Sequence, residues 1–139
     1  MIIPQRFSIG PAGAEIAMLQ WGESGRPPAL LVHGTGFVAD VWDEVARDLA
    51  STYTVYALDR RGHGASHKPG SYHFADYAED VCRVIEALGL RDVYGIGHSA
   101  GATDTRRWPH APQHSSRTPR RSSSKAPATA SSRKLPHSC

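Results

Sequence analysis

The distribution of large apolar side chains limits what this chain can fold into. Only Trp108 and Leu135 are large and apolar after Ala102, whereas apolar residues recur throughout the preceding part. A segment without such residues cannot bury enough surface to offset the entropy that is lost on ordering. We therefore expect residues 1–104 to form the folded unit and residues 105–139 to be a disordered tail rich in Ser, Pro and Arg.

Charge divides at the same point. The chain has 16 basic and 13 acidic side chains, and residues 1–104 hold all of the acids and 8 of the bases. The first part therefore has a net charge of −5 and the tail a net charge of +8. A cationic tail binds nucleic-acid phosphates in some proteins. This tail has no pattern of interleaved aromatic residues and no folded platform, so we expect no nucleic-acid partner, and a binding module remains only a third hypothesis.

Short apolar runs alternate with segments of helical spacing before residue 105. Strands are predicted at 5–10, 14–21, 29–33, 54–59 and 92–97, and helices at 40–51 and 74–88. Asp40 is placed to cap the first helix, and Gly89 occupies the C-cap position of the second. The apolar faces are Trp42, Val45, Ala46 and Leu49 in the first helix, and Phe74, Tyr77, Ala78, Val81, Val84, Ile85 and Leu88 in the second. This alternation predicts an α/β fold with a mainly parallel sheet, flanking helices and an antiparallel edge formed by the first two strands.

The segment Gly97-His98-Ser99-Ala100-Gly101 has the form G-x-S-x-G and directly follows a predicted strand. Such a segment forms a tight strand-to-helix turn that raises the serine hydroxyl above the sheet. Glycines at positions 97 and 101 allow neighbouring elements to pass close to the turn. The pattern therefore predicts that Ser99 is a nucleophile, while His98 beside it is expected to pack or to face substrate.

Two further motifs follow buried strands in the expected order. They are His33-Gly34-Thr35-Gly36-Phe37 and Asp59-Arg60-Arg61-Gly62-His63-Gly64-Ala65-Ser66. With these three motifs, residues 1–104 resemble the N-terminal portion of the serine-nucleophile branch of the α/β-hydrolase superfamily. The resemblance is specific for the fold, a partial α/β-hydrolase fold that stops after the nucleophile turn. It is not specific for the substrate.

The resemblance implies a role for each matching position. Ser99 would be the nucleophile, and the backbone N–H groups of Thr35 and Ala100 would form the oxyanion hole. His33 would hold its loop by hydrogen bonds, and Asp59 would be structural, since it precedes the serine. Residues that would support the motifs are His33, Gly34, Gly36, Gly97, His98 and Gly101. The implied reaction is acyl transfer from a small ester, lactone, thioester or related carbonyl compound, without a cofactor or metal.

The family's acid and histidine follow the serine in chain order, and neither can be assigned here. The tail contains His110, His114 and His137, but a base must be held and oriented by a third group. An alternative reading is therefore a truncated or frameshifted fragment without activity, whose β-strand at 92–97 would be an unpaired edge. An out-of-frame GC-rich gene yields a composition like that of residues 105–139. Translating the other two frames beyond codon 104 would test this.

The remaining expectations concern location and partners. The N-terminus lacks the basic region and long apolar run of a signal peptide, and no apolar stretch is long enough to span a bilayer. Cys82 and Cys139 are too few for a disulfide framework. We expect a cytoplasmic protein that acts on a small molecule and does not contact a membrane. The oligomeric state is left open.

Overall fold

A computed structural model of the chain describes residues 2–106 and 130–134. The strands are β1 Gln5–Ile9, β2 Ile16–Trp21, β3 Pro28–Val32, β4 Thr54–Leu58, β5 Tyr94–His98 and β6 Ala130–Lys134. The helices are α1 Asp43–Leu49, α2 Phe74–Leu88 and α3 Ala100–Arg106, and a 3-10 turn at Ala39–Trp42 precedes α1.

The six strands form one mixed sheet in the order β1-β2-β4-β3-β5-β6. Strand β3 is parallel to both β4 and β5, so the centre of the sheet is parallel. Strands β1 and β2 form an antiparallel edge, and β2 pairs antiparallel with β4. The predicted α/β class, parallel centre and antiparallel leading strands are confirmed.

Apolar side chains cover both faces of the sheet. Leu30 and Leu31 are fully buried, and their side chains belong to different clusters because successive residues of a strand point to opposite faces. One cluster packs against α2 and the other against α1 and the 3-10 turn. The first cluster consists of Ile16, Met18, Leu30, Val32, Tyr56, Leu58, Val81, Val84, Ile85 and Val93. The second consists of Leu19, Trp21, Leu31, Ala39, Trp42, Ala46, Ala50, Val55 and Ala57.

The first predicted helix is shorter than expected, and its phase changes where the 3-10 turn becomes α1. Trp42 and Ala46 are buried as predicted, but Val45 is 43% exposed. A 3-10 turn advances fewer residues per turn than an α-helix, so one helical face does not run through both parts. Asp40 provides no side-chain cap and instead pairs with Arg6 of β1. The predicted cap at Asp40 and the predicted burial of Val45 are wrong.

Helix α2 has the predicted bounds. Gly89 lies at its C-cap with a φ of +61°, where a residue without a Cβ avoids strain, and its N–H bonds to the helix's last turn. Phe74 was predicted on the buried face but is 55% exposed, because it is the first residue of the helix and precedes the buried stretch that begins at Ala78.

The outer edge of β5 is paired. Strand β6 lies antiparallel beside it, with Ile96 opposite Ser132. The prediction of an unpaired edge is therefore wrong, because residues 130–134 of the tail supply a neighbouring strand. The rest of the predicted tail, 107–129 and 135–139, lies outside the described residues.

No helix within the described residues has the length and apolar character that crossing a membrane requires.

Candidate functional site

Ser99 lies at the junction between β5 and α3. Its φ is +54°, in the left-handed region that residues with a Cβ rarely adopt. The residue is exposed, although its neighbours in β5 and α3 are largely buried. Its carbonyl accepts a hydrogen bond of 3.0 Å from the N–H of Ala102, in the first turn of α3. The turn therefore holds a strained backbone while it presents the serine to solvent.

Gly97 and Gly101 sit where no side chain fits. A Cβ on Gly101 would lie 2.2 Å from the carbonyl oxygen of Val32 and 2.6 Å from that of His33. A Cβ on Gly97 would lie 2.4 Å from the backbone of Ala102. The absence of side chains at Gly97 and Gly101 allows β3, β5 and α3 to meet at the serine.

The loop after β3 lies directly against the serine turn. A Cβ on Gly34 would be 3.4 Å from the Cβ of Ser99 and 3.0 Å from Nδ1 of His98. The rings of Phe37 and His98 meet edge to face, with centroids 6.0 Å apart. Thr35 follows Gly34 and is exposed. Two of the three sequence motifs thus converge at the end of β5, and Phe37 and His98 form an aromatic wall beside Ser99.

His33 is buried beneath this loop. Its Nε2 accepts a hydrogen bond of 2.9 Å from the N–H of Arg60, so its Nδ1 carries the proton and donates to the carbonyl of Gly34 at 2.7 Å. Burial lowers the pKa of His33 to about 4, because desolvation disfavours the charged ring. The imidazole is neutral at pH 7, and both of its nitrogens are used in holding the backbone.

His63 also holds this loop. Its Nε2 accepts a hydrogen bond of 3.1 Å from the N–H of Gly36, and its Nδ1 lies 3.0 Å from the carbonyl of Arg61. The rings of His33 and His63 are 5.0 Å apart. The second and third motifs are therefore joined by two imidazoles, one from each motif, and each accepts a hydrogen bond from the backbone of the other motif.

Asp59 is buried in the third motif. One of its carboxylate oxygens accepts from the N–H of Ala39 at 2.7 Å, and the other accepts from the N–H of Ala65 at 3.0 Å. A Cβ on Gly64 would lie 2.2 Å from that carboxylate. The carboxylate bridges two loops, an arrangement that agrees with the structural role expected of it.

Two buried ion pairs near these loops were not predicted from the sequence. Arg60 donates from Nε to Asp104 of α3 at 2.7 Å, and its guanidinium lies 4.1 Å from the ring centre of Tyr77. Arg61 forms two hydrogen bonds with Asp80 of α2, of 2.6 and 2.8 Å. Burial raises the pKa of Asp104, although Arg60 opposes this shift. A polar residue on an otherwise apolar helix face, as at Asp80, was the available signal.

Among residues 2–104 and Ser132, whose side chains the structure describes, none hydrogen-bonds to the Ser99 hydroxyl. His110, His114 and His137 lie outside the described residues. Because β6 runs antiparallel to β5, Lys134 lies opposite Tyr94, at the end of β5 far from Ser99.

A cleft in the described part of the chain lies away from this site. An open cleft of about 290 Å³ lies beside β1 and β2, and Ser99 does not line it; its lining includes Arg6, Asp40 and Asp59. The described residues contain no cluster of three or more His, Cys, Asp or Glu side chains suited to a metal ion.

Comparison with known proteins gives consistent matches to one family. The sequence profile of the alpha/beta hydrolase fold family matches residues 27–114. A non-heme haloperoxidase of Rhodococcus erythropolis is 44% identical over 104 residues, which is 73% of this chain and 37% of that protein. A bifunctional esterase/perhydrolase of Acinetobacter calcoaceticus is 37% identical over 64% of this chain and 33% of its own length.

Solved structures also resemble this chain. The crystal structure of a membrane phospholipase A, described as a bacterial virulence factor, has a TM-score of 0.69 and 37% identity over 76% of this chain and 36% of its own. The chain thus spans about a third of the length of such proteins.

Proposed function

Because the chain belongs to the alpha/beta hydrolase fold family, we propose that its site is that of a serine hydrolase with Ser99 as the nucleophile. The observation that carries the proposal is the left-handed backbone of Ser99, at +54°, on an exposed turn packed against Gly34. Such strain persists only where surrounding structure enforces it, and it is concentrated at functional sites.

In the proposed reaction the Ser99 oxygen attacks the carbonyl carbon of an ester while a base takes the hydroxyl proton. The new carbon–oxygen bond places negative charge on the former carbonyl oxygen, which the N–H groups of Ala100 and Thr35 would stabilise. Collapse of this intermediate expels the alcohol, which takes up a proton, and leaves an acyl group on Ser99. Water then attacks the acyl group and releases the acid.

We propose small esters, lactones, thioesters or related carbonyl compounds as substrates. Phe37 is 49% exposed beside His98, and this aromatic wall suits an apolar acyl group better than a charged one. The esterase among the relatives supports the class of compound. Since this chain spans only part of such proteins, we propose a class of compound and no single substrate.

A specific observation favours a second reading, in which this chain is a fragment without turnover. His33 and His63 both use their ring nitrogens on backbone groups, so neither is free to deprotonate Ser99. In this reading neither imidazole supplies the base that turnover at Ser99 requires.

Steady-state hydrolysis of nitrophenyl acetate separates the two readings. A serine hydrolase loses turnover in Ser99→Ala and keeps it in Ser51→Ala, which removes an exposed hydroxyl at the end of α1. If the wild-type rate equals that of Ser99→Ala, the chain has no turnover of its own and the fragment reading holds.

A further inference from the structure

Strand β6 is the outermost strand on one side of the sheet. It pairs with β5 over five residues, from Tyr94 opposite Lys134 to His98 opposite Ala130. Its sequence, ASSRK, has one apolar residue and two cations, which suits a strand that faces water at an edge. The opposite edge is formed by β1, which carries Arg6 and is mostly exposed.

The strand that β6 covers, β5, differs from β6 in that it lacks charged side chains. Strand β5, YGIGH, has no residue with a permanent charge, and Tyr94 is 42% exposed. A strand edge of this kind presents unpaired N–H and C=O groups that readily pair with another chain. Proteins usually block such edges with short, charged strands.

The register of β6 on β5 indicates how the β5 strand of a second copy would pair with the same edge. Strand β6 is antiparallel to β5 and centred on Ile96 opposite Ser132. A second copy of β5 placed antiparallel in the same register would put Ile96 opposite Ile96 and Tyr94 opposite His98. This arrangement is self-complementary about a two-fold axis, which is the symmetry of most dimers. The β6 segment therefore occupies the position that a second copy would take.

We propose that residues 130–134 act as an intramolecular edge strand that keeps the chain monomeric by occupying the β5 edge. The partner that it excludes is a second copy of this chain, joined through β5. This role of β6 does not depend on catalysis at Ser99.

Single proline substitutions in β6 test the proposal and supply their own control. The N–H groups of successive strand residues point to opposite sides, so only one of Ser131→Pro and Ser132→Pro removes a hydrogen-bond donor to β5. The other places proline on the outer side, where edge strands tolerate it. Light scattering after size-exclusion chromatography gives the mass of each full-length protein over a range of concentrations, and tryptophan emission reports whether the fold is retained.

We expect the wild type and the variant with its proline on the outer side to be monomeric. The variant that loses a hydrogen-bond donor to β5 should show roughly a doubling of mass or more while it keeps its native tryptophan emission. In the wild type, amide exchange is expected to be slow at all residues of β5, since each N–H then bonds to β3 or β6. Identical masses for all three proteins would overturn the proposal. So would a dimeric wild type, loss of the fold in either variant, or fast exchange at alternate residues of wild-type β5.

Discussion

Arg60 and Asp104 form a buried ion pair that joins the loop after β4 to the helix after Ser99. The Nε–Oδ2 distance is 2.7 Å, and the side chains are 3% and 1% exposed. The other carboxylate oxygen of Asp104 is buried without a partner among the described residues. Two elements that meet at the candidate site are thus tied by a contact that water screens poorly.

Removing one member of this pair is expected to destabilise the folded protein. Asp104→Ala leaves the Arg60 guanidinium buried and uncompensated, which lowers the free energy of unfolding by about 3–5 kcal/mol. Asp40→Ala is the matched control, because it breaks the exposed pair with Arg6 and should change stability little. Urea denaturation of both variants checks this; equal midpoints for the two would contradict it.

The stability of the protein is expected to fall below neutral pH because of His33. Its pKa is about 4 in the folded state against 6.5 in the unfolded chain. The unfolded state therefore binds more protons between these values, and stability is lost as the pH falls through this window, by about 3 kcal/mol in total. His33→Gln keeps an acceptor for the Arg60 N–H and cannot titrate. Urea denaturation at pH 7 and near pH 4 should show a smaller loss in the variant, and equal losses would refute the assignment to His33.

Gly101→Ala is expected to disrupt the serine turn. The new Cβ would collide with two backbone carbonyls, those of Val32 and His33, neither of which can rotate away. We expect destabilisation of about 1–3 kcal/mol or more, in the range of overpacked cores. Gly70→Ala is the control, because that position has open space around it. Thermal unfolding compares the two, and equal melting temperatures would show that the turn accommodates a side chain.

Strain at Ser99 predicts that glycine stabilises this position. Ser99→Gly relieves a left-handed backbone that costs a residue with a Cβ about 1–2 kcal/mol. Ser99→Ala removes the same hydroxyl but keeps the strain, and it is therefore the reference. We expect Ser99→Gly to melt at a higher temperature than Ser99→Ala. The reverse order would mean that the turn is not strained.

The sequence predicted those features that depend on local spacing. Alternating apolar runs located the strands and α2, and the spacing of Gly97, Ser99 and Gly101 predicted the turn. Such signals are read from neighbouring residues along the chain. The Gly89 cap was predictable for the same reason.

The features that were not predicted depend on contacts between distant segments. The Arg60–Asp104 pair joins residues 44 positions apart, and no local pattern relates them. Val45 was misplaced because a 3-10 turn shifted the helical phase. The pairing of β6 was missed because ASSRK lacks the apolar alternation of a core strand; its pairing with β5 comes from backbone hydrogen bonds at an edge.

Acylation of Ser99 tests the central claim most directly. The protein is incubated with nitrophenyl acetate, with and without added imidazole as an external base, and the peptide containing residue 99 is analysed by mass spectrometry. We predict an acetyl adduct on Ser99 that is absent in Ser99→Ala. An adduct that requires imidazole would show that the nucleophile is intact and the chain lacks its own base. No adduct on Ser99 under either condition, in protein with native tryptophan emission, would contradict its assignment as the nucleophile.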